Sequence, residues 1–398
     1  MGNKIAIVGA GASGLFTSII LASKNYDVTI YEKNSKVGKK LLITGNGRCN
    51  ITNRNVSINH FHSNNIDFVK YPLGQFSFDL CKKIFIDLGI EFQEGAKTRQ
   101  YPMSLTSSSV VDLLEYEALR KGVKILLNET VEDISFENKK YTINKNKKFD
   151  KVIISTGSMA MPKLGSSITG YEIAKKFGHT IIEPFASLVQ LVSSNSNLDM
   201  ITGVKVEGVV NNKHGDILFT KYGLSGSAIL DISRDIASQL QYDKSVKVSI
   251  DIMPQYSKNK LIEILQNRHK NHNEKDTVTW LDGFMNKKLA KYILKISNVP
   301  ATTKYAKFLT KKEILNIVYN IKNLEFNIID TKGFETCEVC AGGIDTTEVN
   351  PKTFESNIQN NLYFTGEVLD VDGDCGGYNL HWAWASGYLL ATNMDDFK

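Results

Sequence analysis

Five cysteines in 398 residues, an odd and thinly spread set, cannot frame a chain of this length with disulfides, so reduced thiols are expected. A second Cys-x-x-Cys is missing, and so are histidines at finger spacing. A zinc site built on Cys337 and Cys340 would therefore lack two ligands, and no metal site is expected. No repeat or low-complexity tract occurs, which excludes solenoids and tail-like arrays. Long apolar runs are scarce as well. The one stretch that invites a membrane reading, residues 5–22, is interrupted throughout by glycine and small polar residues. It starts almost at Met1 with no basic leader read before it, and the expectation is a cytoplasmic protein without a membrane partner. The charge excess is small, +6 overall, which permits a polyanionic partner without requiring one.

What is present begins with a βαβ pattern. Residues 4–8 are an apolar run of strand type, a glycine turn follows, residues 15–23 have helical spacing, and residues 27–31 are rich in strand formers. The turn reads Gly9-Ala10-Gly11-Ala12-Ser13-Gly14, and Glu32 ends the second strand about twenty residues on, the full dinucleotide-binding fingerprint. Gly9 permits the tight turn, Gly11 lets a pyrophosphate approach the backbone, and Gly14 lets helix pack on strand. The helix start at Ala12 and Ser13 offers free N–H groups to phosphate, and Glu32 is placed to accept from a ribose hydroxyl.

Farther along, a helix is expected over 110–121, a strand over 123–127, and a hairpin over 131–149 whose lysine- and asparagine-rich tip, 138–151, reads as a solvated turn. A strand over 152–155 ends in Thr156-Gly157. After residue 188 short strands alternate with glycine turns (203–210, 216–219, 246–252). Pro254 then opens a lysine-rich helical stretch to residue 321, broken at Asn298-Val299-Pro300. Strands return at 326–329 and 361–364, and the last segment, 378–392, is helical. The organisation expected is a first FAD-binding part over 1–187, a β-rich insert over 188–253 and 320–337, a helical lysine-rich subdomain over 254–319, and a second FAD-binding part over 338–398. Flavin, not nicotinamide alone, is implied by the return at the C-terminus. There a strand ends in Gly366-Glu367, able to bring a carboxylate to ribityl hydroxyls. Gly376-Gly377-Tyr378-Asn379 opens a helix whose N–H groups can stabilise negative charge on a reduced flavin.

Two signatures make the likeness specific. Gly38-Lys39-Lys40-Leu41-Leu42-Ile43-Thr44-Gly45-Asn46-Gly47-Arg48-Cys49-Asn50-Ile51-Thr52-Asn53 resembles that of the BaiN/RdsA-like (YhiN-type) family of NAD(P)/FAD-dependent oxidoreductases, as does the stretch from Gly366-Glu367 through Gly376-Gly377-Tyr378-Asn379 to Trp382-Ala383-Trp384. Tyr222-Gly223-Leu224-Ser225-Gly226 and the stretch from Gly165-Ser166 to Gly178-His179 match too, so the resemblance spans essentially the whole chain. It implies an α/β fold: a Rossmann-like, glutathione-reductase-like three-layer FAD domain, split by a β-barrel-like insert that carries a helical subdomain. It further implies that the backbone of Val131 meets the adenine, that Arg48, Cys49 and Asn50 line the flavin, and that Thr156 and Gly157 close over the cofactor. Lys33, Lys40, Leu42 and Gly45 complete the cofactor's surroundings. His381 stands where the family commonly has Gln, and Cys340 where it has a small residue such as Thr. Cys375 falls at a variable position. These departures argue against catalytic roles for the three.

Candidates for the chemistry are Cys49, Arg48 and Tyr378. Arg48 would favour a Cys49 thiolate. Cys49 is placed either to protonate a substrate carbon or simply to pack under the ring, and no second cysteine lies near enough for a dithiol mechanism. Cys337 and Cys340 read as buried structural thiols in a strand leading to Gly342-Gly343, not at a helix start that would lower a thiol pKa. No second G-x-G-x-x-G follows a strand, so NAD(P)H would bind only transiently as reductant, or a protein would supply the electrons. Residues 258–313 hold 13 Lys or Arg against 5 Asp or Glu, interleaved with Tyr292, Tyr305 and Phe308, a pattern suited to phosphates and stacked bases. Some members of the family that this sequence resembles reduce uridine in ribosomal RNA to dihydrouridine, and others are linked to steroid-like enones. Both deliver hydride to an activated C=C bond. The leading expectation is an RNA-directed uridine reductase. The alternatives are a small-molecule ene-reductase and a flavin-dependent redox-sensing or binding protein.

Overall fold

Lys4–Val8 is apolar after its first residue and buried on both faces, as a central strand of a parallel sheet must be. It pairs in parallel with Asp27–Glu32 on one side and Lys151–Ile154 on the other. Lys124–Leu127 and Leu362–Phe364 complete a five-stranded, all-parallel sheet as its outer strands. The computed structural model describes residues 3–145, 147–301 and 303–394. They group into two compact units, Met1–Ala186 with Cys337–Lys398, and Ser187–Thr336.

In the first unit the N-terminal helix Ala12–Ser23 packs on the C-terminal helix Tyr378–Asn393. The contact is close because Gly387 has no side chain: a Cβ there would stand 2.4 Å from Thr17 Oγ1. Beside it Trp384 is buried between Phe16 and Phe85, with ring centroids 5.4 and 5.1 Å away, and its indole N–H donates to the Ile51 carbonyl. The two ends of the sequence thus share one hydrophobic core.

The second unit is a closed six-stranded barrel in the order Leu191–Ser193, Gly223–Ser225, Lys213–Thr220, Lys205–Val210, Val246–Asp251 and Leu324–Thr331. Phe219 and Phe326 stack inside its core. Four helices, Lys258–Asn271, Thr277–Leu281, Lys287–Ile296 and Lys311–Lys322, form the lysine-rich part around fully buried Trp280. This is the expected fold class: a Rossmann-type sheet, a barrel and a helical part. Among the described residues no helix is long and apolar enough to cross a membrane.

Three local expectations need correcting. Residues 131–149 are not a hairpin but a three-stranded antiparallel sheet, Ile134–Glu137, Lys140–Ile143 and Lys147–Phe149. The presumed solvated tip accordingly contains two strands, whose inward residues Tyr141, Ile143 and Phe149 join the core while their lysines face out. Tyr292, offered as a base-stacking residue, is only 2% exposed and packs in the helical core, because it falls on the apolar face of Lys287–Ile296. Of Cys337 and Cys340 only the second lies in the strand Val339–Ile344.

Replacing Gly387 by Val is expected to push the two terminal helices apart, at a cost of about 2 kcal/mol or more, in line with overpacked cores. Urea unfolding followed by the fluorescence of Trp382 and Trp384 reads this directly. An unchanged midpoint would show that the helices have room to spare.

Candidate flavin and active site

The glycine turn has the geometry that a pyrophosphate needs. Gly9 has φ +106 and lies so close to the next strand that a Cβ would be 2.5 Å from the Ser155 carbonyl oxygen. At Gly14 a Cβ would meet the Gly9 carbonyl at 2.0 Å, so both glycines are required by the fold itself. Gly11 is different: its backbone suits any residue (φ −81), and a Cβ would meet nothing within 4 Å. Only something outside the fold explains a glycine there. Among the described residues no side chain caps the helix that starts at Ala12, which leaves its first N–H groups to a ligand, and the Ser13 hydroxyl is buried with no partner there. Glu32 accepts from the Ala10 N–H at 2.9 Å and from the Asn34 N–H at 2.8 Å, which holds the carboxylate at the turn with lone pairs to spare for a ribose.

The C-terminal return comes to this turn. Gly366, with φ +75, is packed against Ser13, and its N–H and C=O are held by Ser386 and Trp382. Glu367 pairs with Lys40 at 2.7 Å and accepts from the Cys340 N–H at 3.1 Å. Residues 50–53 meet 376–381. Asn53 donates to the Gly376 carbonyl at 2.9 Å, and Gly377, φ +97, sits against Thr52 and Asn50 where a Cβ would not fit. Asn50 accepts from the Gln100 N–H, and Asn379 clamps Gly373 through both its N–H and its C=O. Thr156 is packed by Gly170, and Gly157, φ +71, opens toward space. Leu42 and Gly45 belong to Lys39–Gly47, a helix that breaks at Thr44. Lys33 is exposed and Val131 buried, and among the described residues no hydrogen bond or ion pair ties either to the other candidates.

The segment after that break is strained. Gly45, Asn46, Gly47 and Cys49 all have left-handed backbones, two of them non-glycine, a conformation that persists only where the surroundings enforce it. The cause is visible: the Cys49 N–H donates to the Thr44 carbonyl at 3.0 Å and closes the loop. Cys49 itself is fully buried. Burial pushes its thiol up to about 12, against a smaller opposing hydrogen bond with Thr44. The expected thiolate is therefore overturned. The Arg48 guanidinium stands 5.2 Å over the Tyr101 ring instead, and its Nε–H donates to the Gly45 carbonyl.

A group that the sequence did not single out adjoins Tyr378. Asp374 takes His60 Nδ1 on one oxygen at 3.1 Å and His62 Nε2 on the other at 2.9 Å, and the His60 ring stacks on Tyr378 at 4.2 Å. The residues lie more than 300 positions apart, so spacing gave no sign of them. Only strand pairing of 61–62 with 372–373 joins them. Cys337 donates a hydrogen bond to Cys340 and keeps its proton, and both thiols are buried. Among the described residues no cluster of His, Cys, Asp and Glu is arranged to hold a metal.

His381 is structural. Its Nε2–H donates to the Phe76 carbonyl at 3.0 Å, so Nδ1 accepts from Thr52 at 2.8 Å, and burial lowers the ring from 6.5 to about 4. The unfolded chain then binds a proton that the fold refuses. The contribution is whole above pH 6.5 and is lost as pH falls from there toward 4, amounting to about 3 kcal/mol. His381→Gln should lose less stability than the parent over that window in urea titrations at pH 7 and 4.5. Equal losses would exclude His381 as the source. Separately, Gly11→Ala should leave the melting temperature of the flavin-free protein within about 2 °C of wild type, since its backbone and space admit a methyl. Its flavin absorbance per chain should fall several-fold. Full occupancy would remove Gly11 from the cofactor's contacts.

The family model for the HI0933-like protein Rossmann domain matches residues 3–393. A 3-dehydro-bile acid delta(4,6)-reductase of Clostridium scindens is 35% identical, over 97% of this chain and 98% of that protein. A ribosomal RNA dihydrouridine synthase of Haemophilus influenzae is 32% identical, over 98% and 97%. A 3-ketosteroid-delta4-(5alpha)-dehydrogenase structure from Rhodococcus jostii aligns with 98% of this chain and 97% of its own, at 13% identity and a TM-score of 0.46. Matched by its family model from residue 3 to residue 393, the chain belongs to the HI0933-like Rossmann-domain family of flavoprotein oxidoreductases.

Proposed function

We propose that this chain is an RNA-directed reductase that binds FAD along the Gly9–Gly14 turn and uses it to saturate an activated C=C bond, that of a uridine in ribosomal RNA. The observation that carries the reading is the surface of the lysine-rich helices. Of the 13 basic residues in 258–313 only Arg268 and Lys304 are half-buried, and the rest are exposed. Lys307 lies 5.7 Å over the Tyr305 ring and 5.1 Å over the Phe308 ring, both of them exposed. Cations beside open aromatic faces are what a single-stranded polyanion with stacking bases requires. The dihydrouridine synthase relative is consistent with this reading.

The residues would divide the work as follows. Ala12, Ser13 and the helix behind them hold the pyrophosphate, Glu32 the ribose, and Glu367, kept in place by Lys40, the ribityl chain. N–H groups at Gly377 and Tyr378, at the start of the last helix, would stabilise the negative charge that collects on the flavin on reduction. Bound FAD supplies hydride transfer, which no amino-acid side chain provides. NAD(P)H would serve as a transient reductant, since the sequence holds no second dinucleotide fingerprint. The slightly higher identity to the bile acid reductase keeps a second reading, reduction of a steroid-like enone.

Mass spectrometry of ribosomal RNA from a strain deleted for the gene should reveal a uridine two hydrogens lighter than in the parent, restored by complementation. An unchanged profile would favour the enone reading. Binding of an RNA fragment should weaken about ten-fold in each of Tyr305→Ala and Phe308→Ala, the loss of one stacked base. It should also fall steeply between 50 and 200 mM salt, as roughly expected for phosphate contacts. Salt-independent binding that ignores both substitutions would sink the RNA reading.

A further inference from the structure

We propose that His60, oriented by Asp374, is the group that gives the substrate its proton. The assignment rests on the C=C reduction proposed above but not on which substrate carries the bond. Reduction of such a bond needs hydride at one carbon and a proton at its neighbour. The proton leaves the imidazolium Nε2–H, the ring becomes neutral, and solvent restores the proton.

Of the three candidates that the sequence offered, none suits this task as well. A guanidinium such as Arg48 does not give up its proton in proteins. Cys49 keeps its proton but is completely buried under its own strained loop, and Tyr378 is only 6% exposed. His60 meets each requirement. Its side chain is one-third exposed, and Nε2 has no partner among the described residues. Its Nδ1 is held by Asp374, which fixes the tautomer and ring orientation as carboxylates do in acid–base histidines.

The pair is also built rigidly. The Asp374 N–H donates to the His60 carbonyl at 2.9 Å, and the strands on either side pair Phe61 with Gly373 and His62 with Asp372. Asn379 clamps Gly373, and Gly376 lies where a Cβ would strike the Tyr378 ring. The pair is therefore tied to the first turn of the C-terminal helix, at the point where Gly376-Gly377-Tyr378 would face the flavin. Charged and titratable groups around the pair include His62 on the other Asp374 oxygen, Asp372 in the paired strand, Tyr378 under the ring, and Arg99, whose guanidinium reaches Cys375 Sγ at 3.6 Å. His62 shares the carboxylate and is equally open to solvent, so it can refill the pair.

The test uses the full-length, FAD-loaded chain, reduced anaerobically with dithionite and mixed with either of two probes: ribosomal RNA from the deletion strain, or a Δ4-3-ketosteroid. Flavin reoxidation should be roughly 100- to 1,000-fold slower in His60→Gln with whichever probe the wild type reduces, and about ten-fold slower in Asp374→Asn. Flavin content and dithionite reduction should be unchanged. Added imidazole should restore part of the rate in His60→Ala, which a merely structural role would not allow. A His60→Gln protein that reoxidises at the wild-type rate overturns the assignment. If the wild type reoxidises with neither probe, the C=C reading has failed by itself, and a second readout decides for the pair. In protein labelled with 15N-histidine, the His60 ring signals should move on FAD loading, and signals that ignore it would overturn the assignment whatever the substrate.

Discussion

Everything at the candidate site depends on the close packing of the C-terminal helix against the N-terminal one. Gly387 lets the two backbones approach at Thr17, and Trp384 fills the space beside them. That contact fixes where residues 366–379 can lie, because they precede the helix without slack. Gly366 is brought against Ser13, Glu367 against Lys40, and Gly377 against Thr52. A cofactor held by both ends of a chain needs such a seam, since the glycine turn alone offers phosphate contacts and nothing for a ring.

The same seam explains why the loop at 44–49 can be strained. Gly45 lies against Tyr101 and Asn50, Asn50 in turn meets Gly377, and this packing supplies the free energy that holds the left-handed backbone. Burying Cys49 here has a chemical consequence opposite to the one its charged neighbour implied: desolvation outweighs the opposing hydrogen bond with Thr44 and the thiol stays protonated. The acid–base chemistry then falls to groups at the rim, where solvent can return a proton.

The two units express different physics. The first is a parallel sheet buried on both faces, whose polar residues serve the turn and the return segment. The second is a barrel with helices whose exposed face is dominated by lysine, while its aromatics are divided between core and surface. Tyr292 and Tyr305 show how fine that division is. Both lie in the same lysine-rich stretch, but one falls on the buried face of a helix and the other on a loop that projects its ring.

The sequence by itself determined the elements whose signals are local. Among them are the strand, glycine turn and helix at residues 4–23, the barrel texture after residue 188, the final helix, and the family, through contiguous signatures at 38–53 and 366–384. Backbone constraints and hydrophobic period act over a few residues, so they can be read there. Whether a side chain is charged, covered or partnered depends instead on residues far away in the chain, and only the tertiary structure decided it. Cys49 looked like a thiolate beside an arginine until its burial was seen. His381 looked like a departure from the family and is a buried hydrogen-bonding strut between Thr52 and Phe76. The couple of His60 with Asp374 spans more than 300 residues, and no local pattern encodes it, because strand pairing alone brings the two together.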